Sequence, residues 1–301
     1  MKKILLVIIS LLIFCQFSFS QSSVDSLLQL CTKATEKQKT DLYLKLSIVT
    51  RSDSARSNLY AQRAYNLAIK NKQIPEQAKS LYYLGETNYY SRNFENAILH
   101  YKSAIPLYEL LKDTFSLTNC YSSIGLCYHK INQGDKAIAQ FIEGLKLCVQ
   151  NQEYTAELLQ NIGNAHQEML NYNEAIAYFR RAQMINLKIQ DSVSLASNYN
   201  GLAQSFQTLN KNDSSIVYYR KANKLFKKLK KTGYEAITLA NLGTTYVTYP
   251  DSLEKAYKAF NEAWIEFKKM GWNLYEPDIK QGFGDILCAQ GQYTKAIATY
   301  T

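Results

Sequence analysis

The chain has 301 residues and a formal net charge of +10, and 47% of its residues are hydrophobic. Its 12 glycines and 4 prolines are few beside 24 tyrosines, a balance that argues against disorder and fits helices joined by short turns. A single globular core would be near its size limit at this length, whereas a repeat array grows by stacking and needs no single core.

The first twenty residues have the pattern of a secretory leader. Two lysines precede an apolar run over residues 4–14, and Ser18 and Ser20 suit cleavage before Gln21. The alternative is a membrane anchor, but the apolar run is shorter than the ~20 residues that a spanning helix needs. We therefore predict that residues 1–20 are a cleaved signal peptide. The mature protein would then be exported, to the periplasm, the cell envelope or the medium.

Residues 21–39 are polar and compatible with a helix, and they form a lead-in to the rest of the chain. Val24, Leu27, Leu28 and Cys31 fall on one face of that helix. We expect this face to cap the open end of an array that occupies residues 40–301.

The stretch 161–182 predicts a helical hairpin. A polar interruption at 171–173 separates two segments with helical spacing, whose periodic positions are Ile162, His166, Met169, Ala175, Ile176, Phe179 and Ala182. Gly163 and Ala175 are small where two antiparallel helices would cross, and Phe179 fills the space beside them.

The same pattern returns along the chain at intervals of about 40 residues. The positions equivalent to Gly163, which we use as anchors, are Lys45, Gly85, Gly125, Gly163, Ala203, Gly243 and Gly284. Seven copies in register therefore account for nearly all of the mature chain.

This order of a small residue, an alanine, an aromatic residue and a second alanine resembles the tetratricopeptide repeat family. The resemblance implies an all-α fold, a right-handed α-solenoid of about seven helix-turn-helix repeats. The family's usual period is about 34 residues, so a period near 40 indicates longer helices, as in an exported bacterial variant.

Several positions depart from the pattern. Lys45 and Ser57 replace small residues in the first copy, and the sixth copy has one extra residue in its turn, near 249–251. Pro106 falls inside a second helix and should kink it unless that helix ends early. The last helix stops at Thr301 after about two turns, and we expect the repeat to be truncated and the native chain to continue.

In a tetratricopeptide stack the first helices line a concave groove, and the resemblance implies which side chains point into it. The expected groove residues are Tyr82, Glu86, Tyr89, Tyr90, Ser122, Leu126, His129, Lys130, Gln160, Asn164, Gln167, Glu168, Asn200, Gln204, Gln207 and Thr208. Amides can pair with any peptide backbone, and tyrosines give broad contact at low entropic cost. The expected ligand is therefore a protein or an extended peptide.

The family's carboxylate clamp, which pairs Lys with Asn, is not reproduced. Ser122, Gln160 and Asn200 stand where a lysine would help. The first hypothesis is a scaffold for protein interaction outside the cytoplasm. A second is the sensory ectodomain of a membrane-bound histidine kinase or helix-turn-helix regulator, with a membrane helix beyond residue 301. A third is a structural protein that associates with itself.

Catalysis has little support in the sequence. His100, His129 and His166 fall in different repeats, and the chain has no Gly-rich phosphate loop and no His-x-x-x-His metal pair. His166 occupies an aromatic packing position. We therefore expect a protein that is not an enzyme and that has no cofactor and no metal.

Two further residue groups are interpreted as structural. The mature chain has five cysteines without a Cys-x-x-Cys pair. We expect them to pack as small apolar residues, and one long-range disulfide is the alternative. A basic run over residues 220–231 could contact anionic lipid or nucleic acid, but cations at the end of a helix are favoured by its dipole. Nucleic acid is not an expected partner.

Overall fold

The computed structural model describes residues 23–148 and 151–300, which fall into two compact units divided at Cys148. The described residues form helices and turns and contain no strand. Residues 1–20, the predicted signal peptide, lie outside the described part.

The first unit contains a short leading helix and three helical hairpins. Residues 23–33 form α1, and the hairpin helices are α2 Glu36–Val49, α3 Ser54–Lys70, α4 Ile74–Tyr90, α5 Phe94–Leu111, α6 Thr114–Lys130 and α7 Gly134–Leu147. Side-chain caps define several starts: Thr35 and Gln38 form a capping box before α2, and Asp53 and Asp113 cap α3 and α6.

The second unit contains four hairpins. Its helices are α8 Gln152–Glu168, α9 Tyr172–Ile189, α10 Ser192–Thr208, α11 Asn212–Lys228, α12 Thr232–Val247, α13 Leu253–Met270, α14 Glu276–Ala289 and α15 Tyr293–Tyr300. In both units the first helix of each hairpin carries one anchor position. The extra residue of the sixth copy lies in a 3-10 turn, Pro250–Ser252, between α12 and α13.

Among the seven hairpins described, five close on an aromatic ring that presses against the anchor glycine. A Cβ placed on Gly163 would lie 2.8 Å from Phe179 Cδ1, and one placed on Gly201 would lie 2.7 Å from Phe179 Cζ. Phe179 is fully buried between these two backbones. The predicted close approach of Gly163 to Phe179 is therefore confirmed, and Gly201 of the next hairpin shares the same ring.

The first hairpin lacks this ring contact. Lys45 is exposed and forms an ion pair with Asp41, and the α3 residue at the spacing of the ring is Ala61, which is fully buried. A small anchor residue is needed only where an aromatic ring presses on it, so the array tolerates a lysine here.

Eight of the turns place a residue other than glycine in the left-handed conformation. These residues are Lys72, Arg92, Lys112, Asn132, Leu170, Gln190, Asn210 and Lys230. The next amide then donates back across the turn, as from Asn171 N to His166 O at 2.9 Å, which satisfies a carbonyl at the helix end. The polar stretch 171–173 was predicted as the turn, but Tyr172 already begins α9.

A cation from a second helix lies over an aromatic ring of the following first helix at three places. Lys102, Arg180 and Arg220 lie 5.8, 5.7 and 5.6 Å from the rings of Tyr128, Phe206 and Tyr246, respectively. Two of these cations also donate to the tyrosine hydroxyl, Lys102 at 3.3 Å and Arg220 at 2.8 Å. The two residues of each pair are 26 positions apart in the sequence. We call these three contacts the cation staples.

The structure confirms the predicted fold class, because both units are stacks of helical hairpins. Val24 and Cys31 of the leading helix join Leu46 and Tyr60 in one buried cluster. However, α2 begins at Glu36, inside the predicted lead-in 21–39. Helix α5 continues to Leu111, so it does not end at Pro106.

Candidate functional site

The expected groove residues lie on four first helices. In the first unit they belong to α4 (Tyr82, Glu86, Tyr89, Tyr90) and α6 (Ser122, Leu126, His129, Lys130). In the second they belong to α8 (Gln160, Asn164, Gln167, Glu168) and α10 (Asn200, Gln204, Gln207, Thr208). The faces that these residues occupy are called the first-helix faces below.

Tyrosines dominate the face of α4. The Tyr82 ring lies 5.3 Å from that of Tyr101 and 5.9 Å from that of Tyr83. Its hydroxyl lies 3.4 Å from Ser123 Oγ of α6. Tyr82 therefore connects the faces of α4 and α6.

A charged group lies at the end of the same face. Glu86 Oε2 accepts a hydrogen bond from Arg51 at 2.8 Å, and the Arg51 guanidinium lies 5.3 Å from the centre of the Tyr90 ring. Burial raises the pKa of the Glu86 carboxyl, and Arg51 offsets only part of that effect. Tyr90 itself remains 54% exposed, so its ring is available to a ligand.

The remaining residues of this unit differ in access. Tyr89 packs against Phe94 with ring centres 5.5 Å apart. Ser122 is buried, which removes it from the accessible surface. His129 is half-buried and Lys130 is exposed.

In the second unit several amides are used to hold helices together. Gln167 donates to Gly201 O at 3.4 Å and to Ser205 Oγ at 3.3 Å, which ties α8 to α10. Gln207 accepts from the Tyr219 hydroxyl at 2.8 Å. The expectation that these two amides face a ligand is therefore weakened, because packing already engages them.

The other polar groups of the second unit are more accessible. Gln160, Asn164 and Gln204 are half-buried, and Glu168 and Thr208 are exposed. The amide oxygen of Asn200 is buried with no partner among the described residues. This face therefore offers fewer free amides than the sequence indicated.

Cavities are the feature that the sequence did not reveal. In the first unit a cavity of about 170 Å³ is lined by Lys79, Tyr82, Tyr83, Tyr108, Phe115, Ser116 and Asn119, from α4, α5 and α6. Lys79 and Asn119 stand one turn before Tyr82 and Ser122, so the 40-residue period could have placed them side by side. We call this space the α4–α6 cavity.

A second cavity lies between α12, α13 and α14. Its volume is about 220 Å³, and its polar lining includes Asn241, Asp278, Gln281 and Asp285. Asp285 accepts a hydrogen bond from the Tyr300 hydroxyl at 2.8 Å. The linings of these two cavities thus differ in charge, because a lysine lines the first and two aspartates line the second.

His166, Cys120 and Cys127 pack against neighbouring side chains or in the core. His166 stacks on Tyr178 with ring centres 5.3 Å apart, which confirms its predicted packing role. Burial raises the pKa of Cys120 and of Cys127 to about 12, so both are protonated and inert at neutral pH. Within residues 23–148 and 151–300 no cluster of His, Cys, Asp and Glu could hold a metal ion.

No helix in the described ranges is both long enough and apolar enough to span a bilayer. The basic run of residues 220–231 is partly used in packing. Arg220 belongs to a cation staple, and Lys221 lies 5.2 Å from the centre of the Tyr218 ring. The run is therefore not simply a free basic surface.

Comparison with known proteins places the chain in a family. A family model described as soluble NSF attachment protein, SNAP, matches residues 129–301, more than half of the chain. The chain belongs to the soluble NSF attachment protein family. No curated protein matches this chain.

Solved structures show the same architecture. The apo form of RapI has a TM-score of 0.70 at 14% identity over 87% of this chain and 94% of that one. A signal transduction ATPase with a tetratricopeptide repeat sensor from Pyrococcus horikoshii has a TM-score of 0.65 at 15% identity over 86% and 44%. The Rap conjugation regulator of plasmid pLS20, in complex with the Phr* peptide, scores 0.56 at 12% identity over 94% and 93%. The fold is therefore a helical repeat of the tetratricopeptide type.

Proposed function

We propose that this protein is a non-catalytic interaction scaffold that binds an extended peptide on its first-helix faces. The observation that carries the proposal is the accessible tyrosine surface of α4, where Tyr90 is 54% exposed and Tyr82 borders the α4–α6 cavity. Tyrosines give large contact areas at low entropic cost, and a cavity beside them accepts a side chain.

The peptide-bound Rap regulator supports this proposal. It shares the fold over most of both chains, and its ligand is a peptide. At 12% identity the likeness concerns the fold alone, so the choice of face and the ligand chemistry rest on the residues of α4 and α6.

Selection of peptides from a random library tests the proposal. The immobilised protein should enrich a family of related sequences, and Tyr90→Ala should reduce capture of the enriched peptides at least tenfold because it removes an exposed contact surface. A matched control is Leu99→Ala on α5, a residue that is 61% exposed on a second helix and should bind as the unchanged protein does. Equal loss in both variants, or no enrichment at all, would refute the proposal.

We also propose that the protein acts outside the cytoplasm. It would then be a tetratricopeptide array of the exported type, with a repeat period near 40 residues. The leader pattern of residues 1–20 supports this. The amino-terminal sequence of the protein recovered from the periplasm or medium should begin at Gln21. Recovery in the cytoplasm with the leader intact would contradict this location.

The two other hypotheses make different predictions. A self-associating scaffold would form dimers or larger species at micromolar concentration without any ligand, and sedimentation velocity detects them. A sensory ectodomain would be part of a larger protein that fractionates with membranes. A soluble monomer that binds the selected peptides would favour the scaffold proposed here.

A further inference from the structure

The α4–α6 cavity has the size of a side-chain pocket. Its volume is about 170 Å³, and a cavity of about 150 Å³ is enough to admit benzene. A phenyl or phenol ring would therefore fit without rearrangement of the walls.

The walls of this cavity are aromatic from its interior to its rim. Tyr108 is only 4% exposed, whereas Phe115 is 55% exposed, so the cavity extends from the core to the surface. Tyr82 and Tyr83 form another wall, with ring planes at 78° to each other. Edge and face contacts with these rings would favour an aromatic guest over an aliphatic one of the same area.

The charge of the cavity is that of Lys79. Lys79 is exposed and takes part in no ion pair within residues 23–148 and 151–300. Two carboxylates that act on the tyrosine walls are already engaged. Glu86 accepts from Arg51 at 2.8 Å, and Asp113 accepts from the backbone N–H of Ser116 at 3.0 Å and from the Ser116 hydroxyl at 2.7 Å. An added carboxylate would therefore be attracted to Lys79.

We propose that the α4–α6 cavity is a specificity pocket for a bound peptide. It takes an aromatic side chain of the peptide, and Lys79 pairs with an acidic residue next to that side chain. This inference rests on the proposed function and adds the chemistry of the peptide to it. The Asn119 side chain provides the polar group that would meet the guest's hydroxyl or backbone.

A random twelve-residue phage library, selected on the immobilised full chain, tests the pocket. The unchanged protein should enrich, at least tenfold over the naive library, sequences in which an aromatic residue adjoins Asp or Glu. Lys79→Glu should replace that acidic preference by Lys or Arg while the aromatic residue is retained. Asn119→Phe should fill the cavity and abolish the aromatic preference.

The control for charge is Lys37→Glu on α2, which makes the same change at an exposed residue outside the cavity and should leave the selected sequences unchanged. Circular dichroism melts establish that each variant is folded, and Lys79→Glu alone decides the question if Asn119→Phe does not fold. Enrichment of peptides without an aromatic–acidic pair would overturn the pocket but leave the peptide scaffold intact. No enrichment by the unchanged protein would overturn both.

Discussion

At the scale of single residues, the turn after α8 contains a local strain that a substitution can relieve. Leu170 has a φ of 63° and is 70% exposed, so its side chain contributes little burial. The left-handed conformation costs a residue with a Cβ about 1–2 kcal/mol, and glycine avoids that cost at an entropic penalty of about 0.5–1 kcal/mol.

Leu170→Gly should therefore stabilise the protein by about 0.5–1 kcal/mol. Urea denaturation followed by circular dichroism measures the change. A matched control is Met169→Gly, the preceding residue, which has no positive φ and should be neutral or destabilising. A loss of stability in Leu170→Gly would show that the leucine side chain matters more than its backbone.

At Gly163 we predict the opposite effect, a loss of stability on substitution, because the ring of Phe179 packs against it. Gly201 presses on the same ring from the next hairpin, with a Cβ there 2.7 Å from Phe179 Cζ, so the ring cannot move away from a side chain at position 163. Gly163→Leu should overpack this site and destabilise the protein by ~1–3 kcal/mol.

The thermal midpoint of Gly163→Leu should fall well below that of Asn164→Leu. Asn164 is the next residue on α8 and is half-buried rather than enclosed by a ring. Equal midpoints for the two variants would contradict the close helix crossing.

At the scale of helices, the cation staples link three second helices, α5, α9 and α11, to the first helix that follows each of them. Arg220 lies over the Tyr246 ring and donates to its hydroxyl at 2.8 Å, and Tyr246 is only 6% exposed. A cation over an aromatic ring is worth about 0.5–1 kcal/mol at an exposed site.

Arg220→Ala should therefore lower the free energy of unfolding by about 0.5–1.5 kcal/mol, since it removes both the ring contact and the hydrogen bond. Chemical denaturation measures this change. Lys224→Ala is the control, because Lys224 is exposed on the same helix and should change stability little. An Arg220→Ala variant as stable as the control would mean that the staple contributes nothing.

The sequence predicts the helices and their pairing well, because small and aromatic positions repeat with the period of the fold. Gly163 against Phe179 could be predicted in this way. The staples could not, since they join residues of different repeats and a surface cation gives no periodic hydrophobic signal. The turn before Tyr172 lies earlier in the structure than the sequence predicted. The left-handed position there is occupied by Leu170 and not by the glycine that normally marks a helix end.

The candidate site was less predictable than the fold. A helical period gives the face of each helix, and Tyr90 and Lys130 on the expected faces are exposed. It does not give the partner of each amide, and Gln167 proved to bind Ser205 at 3.3 Å. Cavities depend on the fit of three helices at once, so neither Tyr108 nor Phe115 was expected beside Tyr82.

At the scale of the whole molecule, buried thiols make stability depend on alkaline pH. Burial raises the pKa of Cys120 and Cys127 from an ordinary 9.0 to about 12. Between these values the unfolded chain loses thiol protons that the folded chain retains. The stabilisation present below pH 9 is therefore lost as pH rises towards 12.

The free energy of unfolding should fall between pH 8 and pH 10.5 by roughly 1–2 kcal/mol for each of the two thiols. Urea titrations at both pH values test this. The double variant Cys120→Ala/Cys127→Ala should show a smaller fall, whereas Cys288→Ala, at a half-buried position, should resemble the unchanged protein. The same fall in all three proteins would exclude a contribution from the buried thiols.

The claim that peptides bind to the first-helix faces is tested most directly by photocrosslinking. A photoreactive amino acid is placed at Lys130 on α6, an exposed position of a first helix, and in a second protein at Leu99 on α5, which is 61% exposed on a second helix. With a peptide selected from the random library, position 130 should crosslink efficiently and position 99 should not. Crosslinking from position 99 alone would contradict the account.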